Sequence, residues 1–115
     1  MEVFDRGAAL KRLGGDASRL EELLDAFQSR ISVTMKAVED AAKHERADRI
    51  LEIAKELRAS SHTIGAEGME ELWSQMMGAA EARDFDEART LLTHMGMELD
   101  WLLRILDENR CSGNL

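Results

Sequence analysis

Three side chains at helical spacing, Lys55, Arg58 and His62, put an amine, a guanidinium and an imidazole on one line of the chain. On a helix, residues three, four and seven apart share a face. A run built this way offers a neighbour two permanent cations and one titratable nucleophile. Only the imidazole has a lone pair to give at neutral pH. A lysine amine titrates near about 10.4 in water, which leaves roughly one in 2,500 unprotonated at pH 7. Lys55 lies off the apolar stripe beside Glu52 and Arg58, so it is expected to act as a fixed charge. His44, in a polar turn, and His94, far along the chain, share no ligand spacing with His62, and no metal site is expected. Cys111 has no second cysteine to pair with and reads as incidental.

Those side chains need a rigid element beneath them, and the apolar periodicity supplies one. Ala47, Ile50, Ala54, Leu57, Ser61 and Ile64 recur at the spacing of one buried helix face. The pattern repeats at Leu20, Leu23, Leu24, Phe27, Ile31, Met35 and Val38. It repeats again at Met69, Leu72, Trp73, Met76 and Ala80, and at Phe85, Ala88, Leu91, Leu92, Met95, Leu99, Leu102 and Leu106. Four amphipathic helices follow, with breaks at Lys43-His44-Glu45-Arg46, at Gly65 and Gly68, and near Arg83-Asp84. Ahead of them Asp5 caps a short helix that halts at Gly14-Gly15. Asp16 offers the next cap, and Ser18 with Glu21 a capping box. Short turns favour antiparallel neighbours. The expected fold is all-α: an antiparallel up-down four-helix bundle with a short extra N-terminal helix over residues 1–109, then a C-terminal tail at 110–115. The methionines, mostly on the apolar stripes, read as core filling rather than a Met-rich binding groove, and Trp73 and Trp101 as rings buried against the bundle with the indole N–H near a partner or water.

Composition agrees with one helical domain. The chain has 115 residues, no proline and 4% aromatics, which suits helices and one modest core. A formal net charge of −8 argues against nucleic acid, whose phosphates need a basic face. No window reaches the roughly 18 to 20 apolar residues of a membrane span. Without a signal-peptide pattern after Met1, and with one cysteine, the expectation is a soluble cytoplasmic protein. Neither a GKS or GKT loop nor HExxH is present, so nucleotide-binding and zinc-protease readings have nothing to rest on; no cofactor is expected, and no enzymatic activity unless His62 supplies it.

The segment Ala54-Lys55-Glu56-Leu57-Arg58-Ala59-Ser60-Ser61-His62-Thr63-Ile64-Gly65-Ala66 resembles the A-H-x-L-K-G-S-x-x-x-I-G-A signature of histidine-containing phosphotransfer domains. Val3-Phe4-Asp5, then Leu10-Lys11-Arg12-Leu13-Gly14-Gly15-Asp16 running into Leu20-Glu21-Glu22-Leu23-Leu24-Asp25-Ala26-Phe27, is similar to the opening of the same family, where L-x-R-L-G-G-D leads into the long second helix. The resemblance covers nearly the whole chain. It implies a four-helix bundle that exchanges a phosphoryl group with an aspartate of a receiver domain, which brings the acidic pocket and the Mg²⁺. Ala59 for glycine and Arg58 for lysine are mild departures. Lys55 for the phosphoacceptor histidine is a severe one.

The expected function is thus that of a monomeric domain unable to carry phosphate that binds a response-regulator receiver domain or a histidine kinase of a two-component system. The surface it would use is Leu51, Glu52, Lys55, Arg58, Ala59 and His62, with Asp48 at its edge. One alternative is an active phosphotransfer protein using His62, although seven residues place it about 10.5 Å along the axis from Lys55. The other is a purely structural helical bundle.

Overall fold

The computed structural model describes the backbone of residues 2–113 and the side chains of residues 2–108. Its elements are α1 (Arg6–Arg12), α2 (Ala17–Lys43), α3 (Ala47–Thr63), α4 (Glu67–Glu81) and α5 (Phe85–Gly113), with no strand among the described residues. The starts follow local chemistry. Asp5 accepts the N–H of Ala8 at 2.9 Å, Asp16 that of Arg19 at 2.9 Å and Asp84 that of Glu87 at 3.0 Å. Each side chain thereby satisfies a first-turn donor that has no partner within the helix.

The three links from α2 through α5 are built alike. Each spans three residues, and the middle one takes a positive φ: 56° at Glu45, 78° at Gly65 and 54° at Arg83. The following residue donates its N–H five positions back, Arg46 to Ala41 at 2.8 Å, Ala66 to Ser61 at 2.9 Å and Asp84 to Ala79 at 2.9 Å. This Schellman arrangement satisfies the last-turn carbonyls. The donating residue is also where the next helix begins, so no chain is spent between elements.

Packing runs from α2 to α3, α4 and α5, and α5 returns to α2, so the contacts close into a ring; α1 lies against α2 and α3. Trp73, Leu20, Ile31, Ile50, Met69, Met76, Met95 and Leu102 are among the fully buried side chains at its centre. Burying a side chain of this size contributes about 1.5–3 kcal/mol, and such packing of an amphipathic face supplies most of a helix's stability in a protein. Among the described residues no helix is long and apolar enough to cross a membrane.

Several expectations change. Trp101 is 63% exposed and Met97 65% exposed. Ala88, Leu91, Met95, Leu102 and Leu106 set the buried face of α5, and Trp101 precedes Leu102 by one residue, about 100° around the helix. Trp73 is buried as expected, and its indole N–H has no hydrogen-bond partner among the described residues. Gly68 is not a break; it lies in the first turn of α4, where an added Cβ would meet Glu98 Oε1 at 1.8 Å. Ser18 falls inside α2 and is no capping-box residue, because Asp16 already holds the cap. α5 continues into the expected tail as far as Gly113. The side chain of Cys111 lies outside the described residues.

Candidate functional site

α3 carries the site because its two faces differ so sharply. Ile50, Ile53, Ala54, Leu57 and Ser61 are buried, while Glu52, Lys55, Arg58, Ala59 and His62 are exposed and Leu51 is half-buried. Lys55 projects to solvent next to the fully buried Ala54. Packing holds the backbone under the amine and leaves the amine itself uncovered.

Charge pairing separates the members of this surface. Glu52 accepts a hydrogen bond from Arg49 at 3.0 Å, and Glu56 one from Arg30 of α2 at 2.6 Å. Neither carboxylate reaches Lys55. Among the described residues Lys55 and Arg58 have no ion pair or side-chain hydrogen bond, so both cations are available to an incoming acidic group. His62 is different: its Nδ1 lies 3.1 and 3.2 Å from the two carboxylate oxygens of Glu70 on α4. The guanidinium of Arg12 donates to the His62 carbonyl. The imidazole therefore leans toward Glu70 of α4, unlike the free cations of Lys55 and Arg58. Among the described residues no group of three or more His, Cys, Asp or Glu is placed to hold a metal ion.

Two features were missed in the sequence. A cleft of about 260 Å³ opens between α2 and α3, lined by Leu23, Ala26, Phe27 and Arg30 on one side and by residues including Leu57, Ala59 and Thr63 on the other. The signal available was the pair of small residues, Ala26 and Ala59, that leave the space. The second feature is a brace on the far end of α3. The N–H of Asp5 donates to the Gly65 carbonyl at 2.7 Å, and a Cβ at Gly65 would lie 2.3 Å from the Asp5 carbonyl oxygen. Gly65 thus serves both a left-handed turn and a close backbone approach. Ile64 and Ala66, at 2% and 0% exposure, pin the turn on either side.

No protein-family model, no curated protein and no solved structure matches the chain.

Proposed function

We propose that the chain is a phosphotransfer-like signalling domain that has lost its phosphoacceptor and works by binding a receiver domain or histidine kinase. The observation that carries this reading is the unpaired ammonium of Lys55, exposed in mid-α3 at the position where the resemblance places a reactive histidine. Arg58 adds a second free cation three residues on, and Ala59 keeps the approach low and borders the apolar cleft toward α2. Such a surface suits an acidic, Mg²⁺-binding pocket. The ammonium of Lys55 pairs with the receiver's phosphorylatable aspartate and competes there with Mg²⁺, and no phosphoryl group is transferred to it because the protonated amine has no lone pair.

The proposed architecture is the antiparallel up-down four-helix bundle of α2 to α5, with α1 as a short lid. Three-residue links favour antiparallel neighbours, and the closed ring of contacts is what such a bundle requires. The proposed setting is a monomer in the cytoplasm, the compartment of such receivers.

Titration against receiver and kinase domains tests the reading. A hydrogen-bonded charge pair shielded from water couples by about 1.5 kcal/mol or more, so Lys55→Ala is expected to weaken a receiver complex by about tenfold or more. Unchanged affinity would remove the Lys55 mechanism. Incubation with phosphorylated receiver is the complementary measurement: the natural protein takes no acid-labile, base-stable label, whereas Lys55→His acquires some. Label on the natural protein that disappears in His62→Gln would replace this reading with an active relay.

A further inference from the structure

A second surface lies between α4 and α5. His94, Met97, Glu98 and Trp101 recur at helical spacing on α5 and face Gly68, Glu71 and Leu72 of α4 across a groove of about 450 Å³, with Val3 at its rim. Two of its apolar side chains stand out: Met97 and Trp101 are among the most exposed big hydrophobic side chains of the described residues. Neither helix gains from leaving them in water. Methionine and the aromatic residues are among the side chains enriched where proteins meet. Methionine adapts its shape to an incoming side chain, while tryptophan gives a rigid anchor.

The charges around the groove select the occupant. Glu71 and Glu98 line it, and among the described residues no lysine or arginine does. Glu98 is half-buried against Gly68 and has no hydrogen bond or ion pair among the described residues. Close by, Glu67 accepts the backbone N–H of Glu2, and the Glu2 carbonyl accepts the N–H of Gly68. A partly desolvated carboxylate without a counterion gains most from an arriving cation. A second copy would bring the same carboxylates against themselves, with a net charge of −8 on each chain. Like charges facing one another oppose such a pairing. The shape of the groove, a trough between two helices, fits a third helix laid along it.

We propose that the Met97–Trp101 groove binds a basic amphipathic helix of a partner protein. Apolar side chains of that helix pack on Met97, Trp101 and Leu72, and its lysine or arginine side chains pair with Glu98 and Glu71. The surface is separate from the α3 face, and the proposal does not rest on the function assigned there.

Tryptophan fluorescence tests it directly, because Trp73 is fully buried and Trp101 is exposed. The full chain is titrated with a synthetic leucine/lysine amphipathic helix and with a leucine/glutamate helix of the same length. The expected result is a saturable blue shift with the first peptide only. Trp101→Ala and Met97→Ala each weaken that binding by about tenfold, read by calorimetry. Glu98→Gln weakens it several-fold, while Glu39→Gln on α2 leaves it unchanged. Circular dichroism on each variant checks that the fold persists. Equal binding of both peptides, or equal loss with Glu39→Gln, would overturn the proposal, as would affinity untouched by Trp101→Ala. Self-association of the natural chain that is abolished by Trp101→Ala would also overturn it, by assigning the groove to a second copy.

Discussion

At the scale of single residues, Lys55 and Gly65 represent two kinds of constraint. Lys55 is exposed and unpaired, so folding asks nothing of its side chain. Lys55→Ala is therefore expected to leave unfolding free energy within about 0.5 kcal/mol of the natural protein, as surface changes away from special features do. Urea denaturation would read this, and a larger loss would show that the amine has a structural partner. Gly65 is the opposite case, required by a φ of 78° and by the approach of Asp5. A side chain there carries a left-handed penalty of about 1–2 kcal/mol and in addition collides with backbone that has no free rotamer. Gly65→Ala is expected to lose more than that penalty in denaturation and to free the N-terminal segment from α3, visible as faster amide exchange at Asp5. Equal stability would contradict the close approach.

At the scale of elements, the three links share a geometry but differ in residue. Gly65 supplies the left-handed conformation without cost, whereas Glu45 and Arg83 adopt it with a Cβ. Arg83 gains something in return, since its guanidinium lies 5.6 Å from the centroid of the Phe85 ring. Glu45 has no such contact among the described residues and is exposed. Glu45→Gly is thus expected to stabilise the protein by about 0.5–1 kcal/mol, the relief of strain exceeding the added freedom of the unfolded chain. Arg83→Gly should gain less, because it also removes the cation from the ring. Thermal melts of the two variants side by side check the order, and a larger gain at Arg83 would show that the ring contact contributes nothing.

At the scale of the whole molecule, the ring order puts the α2/α3 edge and the α4/α5 edge on opposite sides of one core. The two proposed surfaces share no residue. Trp101→Ala is therefore expected to leave receiver affinity unchanged, and Lys55→Ala to leave the affinity for the leucine/lysine helix unchanged. Coupling between them in a reciprocal titration would show that the core passes a rearrangement from one edge to the other. That core depends on residues from every long helix. Leu102→Ala, which truncates a fully buried side chain of α5, is expected to cost about 2–5 kcal/mol and to lower the denaturation midpoint with unchanged cooperativity.

Helix number and capping were legible in the residues, because both are local: apolar spacing gives the buried stripes, and Asp5, Asp16 and the Gly14-Gly15 pair act within a turn of where they stand. The exposure of Lys55, Arg58 and Ala59 was legible for the same reason, since azimuth on a helix follows from counting. Trp101 was not. Its hydrophobicity argued for the core, but only the ring of packed helices decides which 100° sector of α5 is covered. Gly68 misled as a break because it sits in the first turn of α4, where the side chain of Glu98, thirty residues away, lies over it. His62 likewise needed its partner, Glu70, brought across the turn to reveal which way the ring leans. The sequence by itself determined the helices, the Asp5 and Asp16 caps and the charge on α3. The tertiary structure decided which charges remain unpaired and which apolar side chains are left in water, because pairing and burial are set by neighbours distant along the chain.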